Sequence, residues 1–353
     1  MNVAIVTLTE AGLETGLRLA KGLGGNVTVY TKQAVPDGIE AKPVEGRLRD
    51  FLGILWSRHE GLILIMAAGI AVRCLANYLE SKYRDPAVVV LDDQGRFAVS
   101  LLSGHLGGAN ELARRATAVL GGEAVITTAS DVRGLPALDL LARELGLKPS
   151  PPARLAAVSA ALVNGRRVGI WAEEPWLSRC RKLAPELPCF HMKSFNGSSG
   201  WDAGVLVTAL RLTDPGPRWL FFRPAQIVAG IGCRRDVGEG QILAALGRAL
   251  REAGYSRWCL AALASMDIKA GEPGLLAAAR RLGCGLKTYP AEDLAAVLET
   301  RPDLAFSSTV QAKVGVGGVC EPAALLAAGR GELIFRKHRY EGVTIALARA
   351  AWW

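Results

Sequence analysis

Short apolar runs rich in valine and isoleucine alternate along the chain with longer segments whose apolar residues recur every three or four positions. The first pattern is typical of buried strands and the second of helices that pack on them. In the first 80 residues the predicted strands are Asn2–Leu8, Asn26–Thr31 and Gly61–Ala67, and the predicted helices are Ala11–Leu23, Gly46–Trp56 and Ile70–Leu79. Strands that alternate with helices form parallel sheets through right-handed crossovers. We therefore predict an α/β protein of Rossmann-like, three-layer domains with mainly parallel sheets.

A hairpin and a glycine-rich turn follow this first part. The apolar segments Ala87–Leu91 and Phe97–Leu102 flank Asp92-Asp-Gln-Gly95, a sequence typical of tight hairpin turns. The second segment runs into Ser103-Gly-His-Leu-Gly-Gly-Ala-Asn-Glu-Leu-Ala113 and a predicted helix, Ala109–Leu120. This turn therefore lies where a strand passes into a helix, a common place for anion binding.

His105 lies among the glycines of this turn. Gly104, Gly107 and Gly108 carry no Cβ atom, so the backbone amides around them can face an oxygen-rich anion. His105 is one of only four histidines, and an imidazole accepts and donates protons near neutral pH. We take His105 as the leading catalytic candidate. The alternative is that the glycines and His105 serve packing of the turn alone.

Two further strand ends carry candidate residues. The strand predicted at Ala124–Thr128 leads to Asp131, whose carboxylate can bind substrate or hold a histidine tautomer, although capping of the following helix is the favoured interpretation. Gly69 and Arg73 follow the strand predicted at Gly61–Ala67. Because ligands of parallel sheets gather at the carboxyl ends of strands, we expect Gly69 and Arg73 on the same edge as His105.

The rest of the chain divides by the regularity of its pattern. A predicted helix, Leu135–Leu147, and the proline-rich Lys148–Pro152 precede a less regular stretch that ends near Arg223. Its predicted strands are Val168–Trp171 and Val205–Leu210, and its thin core is expected to contain Trp171, Trp176, Trp201 and Trp219. The later predicted strands are Ile227–Gly230, Trp258–Leu263 and Leu286–Tyr289, the helices are Gly240–Ala253, Pro273–Leu282 and Ala291–Leu298, and Glu332–Lys337 with Val343–Ala348 form a terminal hairpin. We predict an N-terminal α/β domain at 1–135, a smaller middle region at 136–222 and a C-terminal α/β domain at 225–353.

The C-terminal domain opens with the turn Gly230-Ile-Gly-Cys-Arg-Arg235. This sequence begins like a dinucleotide-binding fingerprint, but Arg235 replaces the third glycine, which weakens a nucleotide interpretation. Arg234 and Arg235 instead offer forked donors for carboxylates. Asp267, Lys269 and Glu272 cluster after the next predicted strand, either as part of the same site or as an internal ion-pair network.

Composition narrows the classes of partner. The 353 residues are 50% hydrophobic but only 6% aromatic, and the formal net charge is +9, so an anionic ligand is expected. The basic residues are scattered without a nucleic-acid motif, which argues against nucleic acid. The longest apolar run, Gly61–Val72, is shorter than the roughly 20 residues of a membrane span. The seven cysteines form no C-x-x-C pair, so we expect reduced thiols in a cytoplasmic protein without a zinc site.

Three motifs together resemble one enzyme family. They are Ser103–Ala113, Val228-Ala-Gly-Ile-Gly-Cys-Arg-Arg235, and Ala264-Ser-Met-Asp-Ile-Lys269 with Glu272-Pro-Gly274. In this order they resemble the cobalt-precorrin-5A hydrolase family of the anaerobic cobalamin pathway, over nearly the whole chain. The chain departs from the family pattern at Asp236, where a small residue, often glycine, is usual.

The resemblance implies a hydrolase that acts on an anionic cobalt-containing corrinoid. Water opens the δ-lactone of the macrocycle, and the extruded two-carbon unit leaves as acetaldehyde to give cobalt-precorrin-5B. Cobalt arrives in the substrate, so no further cofactor and no metal site on the protein are expected. Neither end of the chain has enough basic motif residues for a many-carboxylate ring, so residues of both ends are expected to be needed.

Each candidate residue has an expected role in this reaction. His105 is the expected base, Asp131 and Glu111 are its replacements if His105 proves structural, and Ser103 is a less favoured nucleophile. The expected substrate-binding residues are Gly69, Arg73, Gly104, Gly107, Gly108, Asn110, Gly232, Cys233, Arg234, Arg235, Ser265, Asp267, Lys269 and Glu272. Two other functions stay open, a non-catalytic corrinoid-binding protein and a nucleotide-dependent α/β enzyme. Transient contact with neighbouring pathway enzymes and a homodimer also stay open.

Overall fold

A computed structural model describes residues 1–35, 37–82, 84–197, 199–329 and 331–350. The chain forms two compact units, residues 1–140 and the residues from Leu141 onward. The strands are β1 Val3–Thr7, β2 Val27–Thr31, β3 Lys42–Pro43, β4 Gly61–Ile65, β5 Ala87–Leu91, β6 Phe97–Leu102, β7 Glu123–Val125, β8 Leu147–Ser150, β9 Val168–Ala172, β10 Cys189–His191, β11 Ala203–Val207, β12 Trp219–Pro224, β13 Ile227–Cys233, β14 Leu260–Met266, β15 Gly285–Tyr289, β16 Glu332–Tyr340 and β17 Val343–Arg349. The helices are α1 Glu10–Leu23, α2 Leu48–Arg58, α3 Ala68–Leu75, α4 Ala109–Leu120, α5 Ala129–Val132, α6 Leu138–Glu144, α7 Arg154–Val163, α8 Trp176–Leu183, α9 Glu239–Glu252, α10 Pro273–Leu282, α11 Ala291–Thr300, α12 Ser308–Val314 and α13 Cys320–Ala327.

The first unit is a seven-stranded sheet with helices on both faces, in the strand order β3-β2-β1-β4-β5-β6-β7. Buried residues of α1 and α4 pack on one face and those of α2 and α3 on the other. The first five strands of the sheet, β3, β2, β1, β4 and β5, are mutually parallel, as the alternating pattern predicts. The predicted hairpin is confirmed, since β6 runs antiparallel to β5.

This hairpin reverses the direction of the last two strands, because β7 is parallel to β6. Leu91 at the end of β5 pairs with Ala98 near the start of β6, while Val88 near the start of β5 pairs with Leu102 at the end of β6. The carboxyl ends of β6 and β7 therefore lie at the edge where β4 and β5 begin. This placement decides which candidate residues meet.

The second unit contains two five-stranded sheets, β10-β9-β11-β12-β8 and β15-β14-β13-β17-β16. In the second of these sheets β13, β14 and β15 are parallel, and β17 and β16 complete it as an antiparallel hairpin. The terminal hairpin predicted from the sequence is thus confirmed. Gly230 of β13 is needed for packing, since a Cβ atom there would overlap the carbonyl oxygen of Cys320 at the start of α13. The fold is an α/β fold with three mixed, mainly parallel sheets, and the predicted fold class is confirmed.

Of two sequence predictions for the middle region, the structure contradicts the first and confirms the second. The proline-rich stretch after Leu147 is not a mere break, because Leu147–Ser150 forms strand β8, antiparallel to β12. Pro149 is tolerated there because β8 is an edge strand, which leaves one side of its backbone without sheet partners. Trp171 and Trp219 are buried in an aromatic cluster, as expected from the sequence. The division into three domains at 135 and 222 stays a prediction.

Candidate active site and basic pocket

The glycine-rich turn between β6 and α4 contains two residues in left-handed conformation, one at each end. Ser103 has φ +57°, and Gly108, the residue that precedes α4, has φ +89°. The backbone amide of Gly108 donates to the carbonyl of His105, at 3.0 Å, and closes the turn. A Cβ atom at Gly107 would lie 2.8 Å from the carbonyl oxygen of Ser103. The turn can therefore form only with glycine at position 107.

His105 projects from this turn toward α5, which follows β7. Its Nε2 atom lies 2.7 Å from Oδ2 of Asp131 and 3.2 Å from Oγ of Ser130. His105 and Asp131 meet because β6 and β7 are parallel neighbours whose carboxyl ends lie side by side. The side chains of His105 and Asp131 are each 19% exposed. The pair is thus shielded from bulk water but open on one side.

Asp131 is held as a carboxylate by three donors. Nη2 of Arg114 donates to Oδ1 at 2.7 Å, and Nδ2 of Asn110 donates to Oδ2 at 3.0 Å, beside the bond to His105. Burial raises the pKa of Asp131, but the hydrogen bonds from Arg114 and His105 outweigh it and hold the pKa below its ordinary 3.8. Asp131 is therefore ionised at neutral pH and acts only as an acceptor.

The ionised carboxylate fixes the proton on His105. Since Asp131 can only accept, the hydrogen bond places a proton on Nε2 of His105 and leaves the lone pair of a neutral imidazole on Nδ1. Nδ1 lies 3.7 Å from Oδ1 of Asp139, beyond hydrogen-bond distance. An oriented imidazole whose second nitrogen makes no hydrogen bond among the described residues is the arrangement that general-base catalysis needs, and the Asp139 carboxylate lies beside that nitrogen.

The preferred sequence interpretation of Asp131, a helix cap, is wrong. Thr128 precedes α5, and Asp131 lies inside that helix with its carboxylate turned to His105, Asn110 and Arg114. The contact with His105 corresponds to the alternative interpretation.

Other candidates in the turn have structural contacts. The hydroxyl of Ser103 donates to the carbonyl of Asp85 at 2.9 Å, so its proton is engaged. Asn110 is buried, accepts from Ser100 at 2.7 Å and donates to Asp131, so it orients the acid. The side-chain amide of Asn110 also explains why residue 104 is a glycine, since a Cβ atom there would lie 2.8 Å from Oδ1 of Asn110. The Gly108 amide is used within the turn, which removes it as a free donor.

Glu111, Gly69 and Arg73 do not join the His105 cluster. Glu111 is exposed and lies 3.9 Å from Arg114. Arg73 donates to the carbonyl of Gly69 at 3.0 Å within α3. Because α3 follows the carboxyl end of β4, it lies at the opposite edge of the sheet from the end of β6. The expectation of a shared edge is wrong, since it did not allow for the reversal of β6.

A second polar cluster lies at the carboxyl ends of β13 and β14. Nζ of Lys269 lies 2.6 Å from Oε2 of Glu272 and 3.2 Å from the carbonyl of Arg234. Oε1 of Glu272 accepts from the backbone amide of Asp236, at 2.9 Å. The hydrogen bond from Lys269 lowers the pKa of Glu272, against a smaller opposite effect of burial. Glu272 thus fixes the turn that carries Arg234.

A pocket of about 820 Å³ opens beside this cluster. Gly232, Cys233, Arg234, Arg235, Ser265 and Lys269 line it, whereas Asp267 and Glu272 do not. Burial raises the pKa of the Cys233 thiol, so the thiol is neutral at pH 7. Ser265 is buried and donates to the carbonyl of Ile231 at 2.7 Å, so its role is in packing.

Several residues near the two candidate sites were not predicted from the sequence. Lys313, Lys337 and Arg339 also line this pocket, so the second unit alone supplies six basic side chains to it. The premise that one end has too few cations counted only Arg234, Arg235 and Lys269 in this unit, and that residues of both ends are needed stays a prediction. Lys337 ends the predicted strand and Arg339 lies two residues beyond it, so their spacing would have indicated a shared side only if the strand had been extended to Tyr340. Nothing in the local pattern indicated Lys313 or, in the first unit, Ser130 and Asp139.

Fold and sites define an α/β protein with an oriented histidine and a basic pocket suited to an anionic ligand. Three family models match the chain: Cobalamin synthesis G N-terminal at residues 50–131, Cobalamin biosynthesis central region at 136–224 and Cobalamin synthesis G C-terminus at 227–348. The cobalt-precorrin-5A hydrolase of Salmonella typhimurium is 35% identical over 359 residues, covering 99% of this chain and 98% of that protein. The cobalt-precorrin-5A hydrolase of Priestia megaterium is 30% identical, with 98% and 94% coverage. This chain belongs to the cobalt-precorrin-5A hydrolase family.

A shorter relative is also similar to part of the chain. Protein CobE of a Sinorhizobium species is 38% identical over 131 residues, which cover 36% of this chain and 82% of that protein. Within the described residues, no helix has the length and apolar character that a membrane crossing requires.

Proposed function

We propose that this protein is a cobalt-precorrin-5A hydrolase of cobalamin biosynthesis. Full-length similarity to two hydrolases of that name supports the reaction. The observation that best supports this chemistry is the 2.7 Å contact between His105 and ionised Asp131, whose side chains are largely shielded from water. The proposed substrate is anionic, in agreement with a net charge of +9 and with the basic pocket.

In the first proposed step water adds to the carbonyl carbon of the δ-lactone. Nδ1 of His105 takes a proton from the water as its oxygen bonds to carbon, and Asp131 stabilises the resulting imidazolium through Nε2–H. The carbonyl oxygen becomes an oxyanion, then the C–O bond of the ring breaks. The alkoxide that leaves takes the proton from the imidazolium. The products are a carboxylic acid, which loses its proton to solvent and becomes a carboxylate at neutral pH, and a free hydroxyl on the two-carbon unit.

The second proposed step releases acetaldehyde. A base removes the proton of the new hydroxyl, a C=O bond forms, and the C–C bond to the macrocycle breaks. Its electron pair passes into the conjugated macrocycle, which takes up a proton. His105 can serve as this base because the first step returns it to the neutral form. Cobalt takes part as a component of the substrate.

Arg234, Arg235 and Lys269 are proposed to bind carboxylates of the macrocycle. Arg234 and Arg235 are exposed at the pocket, and guanidinium groups bind carboxylates through paired hydrogen bonds. Gly69 and Arg73 are not part of this proposal, because they lie at the other edge of the first sheet.

The proposal is tested by incubating the purified protein with cobalt-precorrin-5A in water enriched in ¹⁸O. The expected products are acetaldehyde and cobalt-precorrin-5B in equal amounts, with one ¹⁸O atom in the new carboxylate. Mass spectrometry measures the label, and a dehydrogenase-coupled assay measures acetaldehyde. Tight binding of the corrinoid without acetaldehyde would contradict the proposal and favour a binding protein.

A further inference from the structure

Three cations outside the recognised motifs line the basic pocket of the second unit. Lys337 and Arg339 lie two residues apart near the end of β16, and Lys313 lies in α12. The end of β16 is brought to the pocket by its pairing with β17, since Tyr340 lies opposite Val343 and Val343 lies opposite Cys233. These three residues form what we call the hairpin wall of the pocket.

None of the hairpin-wall cations has a carboxylate partner in the part of the chain that the structure describes. Within the described ranges, no Asp or Glu oxygen lies within 4.0 Å of Lys313, Lys337 or Arg339, and the same holds for Arg234 and Arg235. No acidic side chain is among the described residues that line the pocket. Five uncompensated cations thus share one cavity of about 820 Å³.

Cations of the same hairpin that point elsewhere are paired. Arg336 lies 3.0 Å from Oδ2 of Asp303, and Arg349 lies 2.7 Å from Oε2 of Glu332. The hairpin therefore has acidic partners for its other cations and none for Lys337 and Arg339. Like charges gathered at a concave surface repel each other and attract an anion of matching charge. The pattern indicates a ligand with several negative groups.

A buried carboxylate positions the hairpin wall. Glu321 is only 2% exposed; its Oε1 accepts from the backbone amide of Lys337 at 2.9 Å, and its Oε2 from that of Ala305 at 2.7 Å. Ala305 precedes α12, which carries Lys313. Glu321 thus ties both segments of the wall to α13 and fixes where their side chains lie.

We propose that Lys313, Lys337 and Arg339 bind peripheral carboxylates of a tetrapyrrole-type macrocycle, in addition to those held by Arg234, Arg235 and Lys269. The ligand class rests on the proposed function. The consequence is selectivity for the number of carboxylates: a ring with many engages both sets of cations, whereas a ring with few engages one. Each exposed charge pair contributes modestly, so the effect depends on several pairs acting together.

The test uses uroporphyrin, with eight carboxylates, and coproporphyrin, with four, as fluorescent probes that do not react. For Lys337→Gln/Arg339→Gln the Kd for uroporphyrin should rise about tenfold, as two charge pairs would give. The Kd for coproporphyrin should rise less. A matched control, Lys182→Gln/Arg280→Gln, removes two exposed cations of the same unit that do not line the pocket, and should leave both Kd values within about twofold. Thermal melts should show that both variants remain folded.

An unchanged Kd for uroporphyrin in the hairpin-wall variant would overturn the inference, and so would an equal rise in the control, which would indicate net charge alone. The experiment distinguishes failure of the pocket inference from failure of the proposed function. If the parent protein releases no acetaldehyde from cobalt-precorrin-5A but the hairpin-wall variant loses uroporphyrin binding, the hydrolase proposal fails and the pocket inference stands. If acetaldehyde is released and the Kd values do not change, the opposite holds.

Discussion

Among the described residues, two non-glycine residues adopt a positive φ, and each lies in a turn of a candidate site. Ser103 has φ +57° in the turn of His105, and Asp236 has φ +60° directly after Arg235. Glycine adopts this backbone conformation without strain, which is the physical reason why a glycine would suit position 236. Aspartate tolerates this region better than most residues.

Replacement of Asp236 tests this conformational requirement. Asp236→Gly should leave the free energy of unfolding within about 1 kcal/mol of the parent, since glycine adopts φ +60° without strain but loses more entropy on folding. Asp236→Val should lower it by about 1–2 kcal/mol more than the glycine variant, because a β-branched side chain clashes in this region. Urea unfolding measures both. Equal stability of the two variants would contradict the strain argument.

The ion pair of Glu272 with Lys269 gives a pH-dependent prediction. The pKa of Glu272 is lowered from its ordinary 4.5 in the folded protein, so ionisation favours folding. That stabilisation is fully present above the unfolded-state value near 4.5 and is lost as the pH falls through the lower folded-state pKa. Glu272→Gln should therefore be less stable than the parent at pH 7, and the difference should shrink as the pH falls below 4.5. Chemical unfolding between pH 3 and 7 measures this; a difference that does not change with pH would contradict it.

At the scale of elements, most strands and helices follow from the apolar pattern, but their pairing does not. The pattern over Ala87–Leu102 correctly predicts a hairpin, yet the consequence that β6 and β7 run opposite to β5 depends on which strands pair. That reversal separates Arg73 from His105, whereas the parallel pairing of β6 with β7 brings Asp131 to His105. Likewise β8 was not predicted because it contains Pro149 and precedes two further prolines, and α12 has no buried residue by which a periodic pattern could reveal it.

Candidate residues were predicted best where a glycine motif and a chemical group coincide. His105 and Arg234 were selected in this way, and the structure places Arg234 at the basic pocket and His105 beside Asp131; their roles stay predictions. Lys313 and Asp139 were not, since each is an ordinary residue of a polar helix face until the fold brings it to a site. The sequence thus indicates candidate residues within such turns better than residues that only the fold brings close to them.

Glu321 gives a prediction for the element that carries the hairpin wall. Glu321→Gln keeps the shape of the side chain but replaces one acceptor oxygen by an NH₂ group facing a backbone amide of Ala305 or Lys337. An unsatisfied buried amide costs about 1–3 kcal/mol, so the free energy of unfolding should fall by that amount. The exposed Glu299→Gln is the matched control and should change little. A Glu321→Gln protein as stable as this control would show that the carboxylate is not needed there.

At the scale of the whole molecule, binding and chemistry depend on different residues. Arg234→Ala and Arg235→Ala should raise KM, and each should weaken the dependence of KM on ionic strength, because exposed charges are screened over about 8 Å at physiological salt. Steady-state kinetics at several salt concentrations measure this. The rate at saturating substrate should change little. A KM that ignores salt in the parent protein would contradict the role of these arginines.

His105, oriented by Asp131, is proposed as the base that opens the lactone. The most direct measurement is the rate of acetaldehyde release from saturating cobalt-precorrin-5A by the parent protein and by His105→Gln, each shown to be folded by its thermal melt. Because glutamine keeps much of the size but cannot accept the proton, the rate should fall by about 10²–10⁴ while KM changes little. A folded His105→Gln protein that releases acetaldehyde at the parent rate would contradict the claim and leave His105 as a structural residue of the turn.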